Sequence, residues 1–518
     1  MKNFLKIAGV FVVAVLLLFA GSLAVFWPQR ARLPEGPSPP STEEKKIQGR
    51  DDLLEHLTQV RLHQMQSRLA KALDSPESSS LAGDFRTALI GLSMSRPLRG
   101  ASQWLLHSLA GHRWMRRGLF FAMPAVRWMS EPFLYFVDLS GDAEGQKKGA
   151  AELFSFVSAR KARGLLVTLD HVGDASHSPQ EAKDYLDWYR TVIQRFCEAP
   201  REEGLYLSLK LSGLMAPSTL EQAVQEEGAA VRHARLEEAL TDLLTAAAAC
   251  SDSTVFLRLD MEEYATKDAT LNLFRHLVES KPRLVRRRDG GLRLGVVVQA
   301  YLRDSARDIA ELARWGRGLN VRVPVRLVKG AYEKHEKKLA GERGLPVGPV
   351  WNHKPSTDAN YEALTEVLLL QPDVFETAVA THNIRTLARA MAVADAYGLP
   401  PGSFELQMLY GMGDPIKGVA TDMGFLLREY IPAGSLQRGL TYAGRRFQEL
   451  AGRDNALSRT LHGDFSVVSG TPFFQGETDL RDGRPTLRLL QEARREREER
   501  KTGPASDAAL EPSDARER

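Results

Sequence analysis

The apolar positions of this chain fall into three regimes. Residues 7–27 are apolar almost throughout: 21 residues without a charge, rich in Val, Leu, Phe and Ala. At about 1.5 Å rise per residue such a helix reaches roughly 31 Å, enough to cross a hydrocarbon core. In residues 51–75 the apolar positions Leu54, Leu57, Met65, Leu69 and Leu73 recur at helical spacing. From about Leu165 the pattern changes to short apolar runs separated by helix-like stretches such as 236–249 and 384–396. The runs are 165–170, 205–212, 255–262, 294–300, 323–330, 376–383, 403–409 and 427–433. Eight strands alternating with helices predict an α/β fold, a (β/α)8 barrel rather than an open doubly wound sheet. A doubly wound sheet favours a Gly-rich turn after an early strand, and no GxGxxG occurs; Gly411-Met412-Gly413 is too short and too late.

The expected organisation follows from these regimes. Residues 1–29 form a transmembrane anchor, and 30–50, with Pro34, Pro37, Pro39 and Pro40, a linker. Residues 51–160 are a helical N-terminal region, 161–465 the barrel, and 466–518 a charged C-terminal extension whose end, past Gly503, is disordered. Within 100–136, aromatics such as Trp104, Trp114 and Trp128 mix with Arg113, Arg116, Arg117 and Arg127, which suits helices packed on the barrel or a surface resting on a membrane. A cleaved signal peptide, with Ser22-Leu23-Ala24 as its site, is the alternative to the anchor, but signal h-regions are usually shorter than this span. Arg30, Arg32, Lys45 and Lys46 slightly outnumber Lys2, Lys6 and the amino terminus, which favours the barrel on the inner side.

Composition narrows the chemistry. The net charge is +4, from 69 Lys+Arg against 65 Asp+Glu, too small an excess to support nucleic-acid binding. Two cysteines, Cys197 and Cys250, without CxxC spacing, argue against a disulfide framework and a thiolate zinc site. His171, His335, His353 and His382 lack metal-ligand spacing, so no metal is expected. Walker A, GxSxG and HExxH patterns are absent.

Barrel enzymes place their chemistry at the C-terminal ends of the strands. Polar residues collect there: Lys210, Asp260, Gln299, Arg326 with Lys329, Thr381-His382-Asn383, Gln407 and Tyr430. One of these alone reads as a satisfied core group. Seven strands in succession point to a shared site, because unpaired buried charge is costly. After the last strand, Arg445-Arg446-x-x-Glu449 sets a carboxylate three and four residues from two arginines, on what reads as a helix. Arginine forks match a carboxylate or phosphate. The residues therefore predict a cationic pocket for a small anion or a phosphorylated cofactor.

These motifs resemble the proline dehydrogenase family. They are Arg326-Leu-Val-Lys-Gly-Ala-Tyr332 with Glu336, Ala380-Thr-His-Asn383, Gln407-Met-Leu-Tyr-Gly-Met-Gly-Asp-Pro415, and Tyr430-x-Pro-x-Gly434 before Arg445-Arg446-x-x-Glu449. The resemblance runs from about Leu165 to Leu457. It implies a distorted TIM-like barrel holding FAD, oxidation of L-proline to Δ1-pyrroline-5-carboxylate with hydride transfer to flavin N5, and electrons passed to ubiquinone or menaquinone. It implies that Lys210, Arg445 and Arg446 hold the substrate carboxylate and that Glu449 orients the arginines. It puts Asp260, Tyr332, Leu409, Tyr430 and Tyr442 around the substrate and Arg326 beside N5. Met261, Gln299, Val328, Lys329, Gly330, Ala331, Thr381 and His382 match cofactor-contacting positions.

Tyr410, Glu333 and Asp414 depart from the family pattern at the outer FAD site. No room for an aldehyde dehydrogenase domain follows residue 460, which matches the monofunctional type. The implied location is a bacterial inner membrane with the barrel in the cytoplasm. Competing readings are a 4-hydroxyproline dehydrogenase, another flavin barrel such as methylenetetrahydrofolate reductase, and a non-catalytic membrane-tethered binding protein.

Overall fold

The computed structural model describes residues 49–73, 133–139, 141–173, 175–198, 204–215, 229–250, 254–435, 439, 442, 446, 457, 460 and 472–502. The expected anchor, nearly all of the linker, residues 100–132, Arg445, Glu449 and the tail beyond Thr502 lie outside the described residues. Among the described residues, no helix is long and apolar enough to cross a membrane.

Helix α1 (Arg50–Leu73) and the short strand β1 (Tyr135–Phe136) come first. Then α2 (Ala143–Lys161), β2 (Leu165–His171), α3 (Pro179–Glu198), β3 (Leu205–Leu209), α4 (Leu211–Leu214), α5 (Ala229–Ala249) and β4 (Val255–Leu259) follow. Next are α6 (Tyr264–Ser280), α7 (Pro282–Val285), β5 (Leu294–Gln299), α8 (Ser305–Leu319), β6 (Val323–Val328), α9 (Glu333–Glu342) and α10 (Lys354–Leu369). The series ends with β7 (Phe375–Ala380), α11 (Ile384–Tyr397), β8 (Glu405–Leu409), α12 (Asp414–Asp422), β9 (Leu426–Gly434) and α13 (Glu477–Thr502).

Strands β2 to β9 pair in chain order, all parallel, and β9 pairs with both β8 and β2, which closes an eight-stranded barrel. Strand β1 pairs with β9 at Ala433 and Gly434. All eight expected strands are present. Leu and Val dominate because a parallel barrel is covered by helices outside and filled within. The register lines these residues up around the ring: Leu207 opposite Leu257, Leu327 opposite Val379, and Leu406 opposite Leu427. Successive strand residues face opposite ways, so the intervening positions Ser208, Arg258, Arg326, Gln407 and Arg428 form the polar filling.

Several expected strands end early. The 255–262 run leaves the sheet after Leu259, and the 205–212 run turns into α4 after Lys210. The polar residues at those ends therefore stand on turns above the ring.

The outer layer uses both ends of the described chain. Helix α1 packs across α11 and α12, so Leu387, Ala388, Met391 and Val393 of α11 are fully buried. Helix α13 runs along α10 in the same direction. Asp479 accepts from the backbone N–H of His353 (3.2 Å), Thr486 donates to Asn360 (2.7 Å), and Arg494 donates to Glu366 (2.6 Å). Glu366 is fully buried, and Arg389 and Tyr397 also donate to it, each at 3.1 Å.

Cys197 and Cys250 are joined by a disulfide across 53 residues. This corrects the expectation drawn from their spacing. The fold, not local sequence, brings the end of α3 beside the residue after α5, with a Cα separation of 5.1 Å inside the usual range.

Candidate active site

The centre of the barrel mouth is built on Arg326, which is 4% exposed on β6. Its Nη1 donates to Asp260 Oδ1 (2.6 Å), its Nε to Gln407 Oε1 (2.6 Å) and its Nη2 to Ser208 Oγ (2.9 Å). The other oxygen of Asp260 accepts from the Tyr430 hydroxyl at 2.8 Å. The guanidinium also lies 5.3 Å from the centre of the Tyr430 ring, a cation–π distance. Burial, then the charges of Asp170 and Asp260, push the Tyr430 hydroxyl well above its usual pKa, so it stays a proton donor. Deeper in the barrel, Gln407 donates to Glu405, which accepts Arg428 Nε at 3.0 and 3.1 Å.

Lys210 stands beside this group, at the end of β3. Its Nζ donates to both oxygens of Asp170 (2.8 and 2.9 Å), and its backbone N–H donates to the Tyr185 hydroxyl (2.9 Å). Burial alone would lower the Lys210 pKa; Asp170, with Tyr185 and Asp260, more than reverses this and keeps the ammonium charged. On the far side, Glu262 accepts from Ser212 N–H (3.0 Å) and Ser212 Oγ (2.5 Å), and burial raises its pKa above the usual carboxylate value.

These contacts alter the expected cationic pocket. Lys210 is paired with Asp170, Arg326 with Asp260, and Lys329 with Asp358 at 2.5 Å. The mouth is a set of ion pairs, because burying three unpaired cations together would cost several kcal/mol each.

The residues matched to cofactor contacts line one side of this mouth. Gln299 donates to the Glu262 carbonyl (3.0 Å), yet its buried Oε1 has no partner among the described residues. Met261 is buried, Val328 to Gly330 are half-buried, and Ala331 is exposed. Gly330 has φ +118°, and a Cβ there would meet the Tyr301 ring at 2.3 Å. Only glycine takes that position without strain. Tyr332 follows, packed near Tyr301, Leu302 and Val350. Burial lowers the Lys329 pKa. Burial opposes ionisation of Asp358, but Lys329 and Lys354 outweigh it and hold the carboxyl below its usual range.

Thr381 and His382 sit just before α11. Asn383 caps that helix, accepting from Arg385 N–H (2.9 Å) and Thr386 N–H (3.3 Å). His382 Nε2 accepts the Leu409 N–H at 3.0 Å, which fixes Leu409 at the end of β8. Burial, then Lys417 and Arg446, lowers the His382 pKa to about 3, so the ring is neutral at ordinary pH. The orphan acceptor on Gln299, the open ribbon 328–331 and the helix N-terminus behind His382 together fit a planar, phosphorylated cofactor. Among the described residues, no group of three or more His, Cys, Asp or Glu is set to hold a metal ion.

Tyr442 and Arg446 lie beyond β9, with the Arg446 guanidinium 5.1 Å from the Tyr442 ring centre. The charge of Tyr442 is felt at Tyr430, and that of Arg446 at His382, so both stand near the mouth. Arg445 and Glu449 lie outside the described residues.

A model of the proline dehydrogenase family matches residues 155–459. The chain belongs to the proline dehydrogenase family. The bifunctional protein PutA of Salmonella typhimurium is 28% identical over 362 residues, covering 68% of this chain and 25% of that protein. Proline dehydrogenase of Deinococcus radiodurans is 28% identical over 295 residues, covering 57% of this chain and 80% of that one. The crystal structure of proline utilization A from Bdellovibrio bacteriovorus, inactivated by N-propargylglycine, has 26% identity and a TM-score of 0.66. It covers 80% of this chain and 44% of that chain. The chain thus spans 25% of the length of the bifunctional Salmonella relative. Membership of the proline dehydrogenase family sets aside methylenetetrahydrofolate reductase.

Sequence reasoning missed Asp170, Tyr185, Ser208, Glu262 and Asp358. Asp170 carried a usable signal: it ends the first apolar run, where the other strands end in site residues.

The depressed His382 pKa has a consequence for acid stability. The unfolded ring takes a proton near the ordinary imidazole value of 6.5 and the folded one only near 3, so folding loses stability as pH falls between them. In His382→Gln, whose amide can still accept from Leu409, the fall in Tm across that window should be shallower than in the native chain.

Proposed function

We propose that this chain oxidises L-proline to Δ1-pyrroline-5-carboxylate with FAD at the barrel mouth and passes the electrons to a membrane quinone. The observation that carries this reading is the buried Arg326–Asp260–Tyr430 group beside Lys210, in a chain of the proline dehydrogenase family. The family is flavin-dependent in general. Gln299, Lys329 to Ala331, Thr381 and His382 would hold the cofactor.

Oxidation removes a hydride from the ring carbon next to nitrogen and a proton from nitrogen. A bound flavin supplies the two-electron acceptor for that hydride. Everything else is positioning and field. By resemblance Lys210, Arg445 and Arg446 take the substrate carboxylate, and Glu449 orients the arginines. To do so Lys210 shares its ammonium between Asp170 and the substrate, and that fixes the ring's distance from the strand ends. Arg326 presents its positive charge where negative charge accumulates on reduction. Asp260 keeps Arg326 and Tyr430 in place. Because the Tyr430 hydroxyl is committed to Asp260 and remains protonated, it serves as a wall of the pocket and not as a base. Its bulk favours proline over 4-hydroxyproline.

Residues 7–27 support attachment to the membrane that holds the quinone. Which face carries the barrel has two readings. The Lys/Arg count favours the cytoplasmic side of a bacterial inner membrane. The Cys197–Cys250 disulfide favours the oxidising side, where such bonds persist. Thiol labelling of the chain from intact cells decides between them: two reactive thiols after unfolding put the barrel inside, and none until reduction puts it outside.

The activity itself is tested by adding L-proline anaerobically to the purified yellow protein. The flavin band should bleach; a colourless protein, or a flavin that proline leaves oxidised, would contradict the reading. Arg446→Met should raise KM for proline by about 10- to 100-fold, the worth of one charge-assisted contact, while FAD stays bound.

A further inference from the structure

The outward side chains along the first half of α13 form one stripe. Phe473, Leu480 and Leu487 recur every seven residues and are 60%, 55% and 44% exposed. Leu480 and Leu487 share one side of α13, and Phe473 stands in the segment that leads into the helix. Arg481, Arg484 and Arg488 stand among them, all exposed. Arg481 pairs with its neighbour Asp482 at 3.0 Å, and Arg484 and Arg488 have no ion-pair partner among the described residues. Glu477 is the one exposed carboxylate between 473 and 491.

The inward side of the same turns is fully engaged with the barrel. Phe474 packs tilted against Trp351 with ring centres 5.1 Å apart, Asp482 takes Arg303 at 3.0 Å, and Thr486 donates to Asn360. The stripe is therefore not surface that α13 needs for its own docking. Two leucines on one helical face, with Phe473 just before the helix and arginines alongside, are large apolar side chains kept in water and have the composition of a membrane-surface element.

We propose that this stripe rests on an anionic lipid surface, with Phe473, Leu480 and Leu487 entering the headgroup region and Arg481, Arg484 and Arg488 meeting lipid phosphates. Charge complementarity favours lipid: the arginine fork matches phosphate, and the face carries almost no opposing carboxylate. Chain length favours it too. The last turns of α13 hold the start of α1, through Arg50 with Glu498 and Asp51 with Arg494. Between Trp27 and Arg50 lie 22 residues, a reach of at most roughly 75 Å. A span at 7–27 would thus keep the start of α1, and the end of α13 paired with it, within that reach of the bilayer. Because the first turn of α13 bonds to His353, just before α10 and on the mouth side of the barrel, docking turns that mouth toward the membrane. Delivery of electrons to a quinone is a benefit that rests on the proposed function; the docking itself does not.

Hydrogen exchange of 473–491 in the full chain tests this, measured alone, with phosphatidylcholine vesicles and with vesicles containing phosphatidylglycerol. Exchange should slow with the anionic vesicles only, and high salt should restore it. Each arginine at an anionic surface is worth about a factor of five, so Arg484→Gln/Arg488→Gln should raise the lipid needed for half-protection about 25-fold. Both residues are exposed and without an ion-pair partner among the described residues, so the thermal unfolding of that variant should match the native chain. Capture by either vesicle type with no slowing at 473–491 reports residues 7–27 alone and overturns the proposal. Slowing that grows with protein concentration in the absence of lipid assigns the stripe to a second copy of the chain and also overturns it. A failure of proline to bleach the flavin leaves this measurement unaffected.

Discussion

A guanidinium held inside a closed barrel needs acceptors whose positions are fixed before it arrives, and Arg326 has three. Ser208 comes from β3, Asp260 from the end of β4 and Gln407 from β8, at 2.6 to 2.9 Å. None is near Arg326 in sequence. They converge because closure of eight parallel strands fixes the register, and register decides which side chains reach the lumen. Leaving one such buried group unpaired costs about 1–3 kcal/mol. The polar filling is therefore all-or-none, and it runs unbroken from Arg428 through Glu405, Gln407, Arg326 and Asp260 to Tyr430. Chemistry at the mouth inherits its geometry from that chain.

The barrel was legible because its strands are short apolar runs with a polar residue at the end of each. The set Lys210, Asp260, Arg326 and Tyr430 was legible for the same reason. What could not be read was the pairing. Lys210 finds Asp170 40 residues away, and Arg326 finds Asp260 66 residues away. A pattern that counts cations at strand ends sees a positive pocket, while the folded mouth holds a carboxylate for each of Lys210, Arg326 and Lys329. Burial energetics demand such partners but do not name them. The Cys197–Cys250 bond escaped on the same ground, since helix packing and not spacing joins the two sulfurs.

The outer layer shows how the ends of the chain serve the centre. Helices α1 and α13 meet over α10 and α11, and Glu366 ties α10 to Arg389, Tyr397 and Arg494. Helix α1 was visible from its periodicity, while the α13 region was expected only as a charged extension. Their docking could not be read, because it rests on single buried carboxylates such as Glu366 and Asp479. The disulfide and the balance of basic residues around 7–27 pull the barrel toward opposite faces of a membrane. The arginine–leucine stripe on α13 suits an anionic leaflet on either side.

The central claim is that the fixed fork of Arg326, and not merely a positive charge at its position, organises the mouth. Arg326→Lys keeps the charge but cannot satisfy Ser208, Asp260 and Gln407 together. Rapid-mixing measurement of flavin reduction by L-proline in that variant is the direct test. The rate should fall by about 100-fold, the usual worth of a preorganised donor, with flavin still bound. A lysine variant that reduces at the native rate would contradict it.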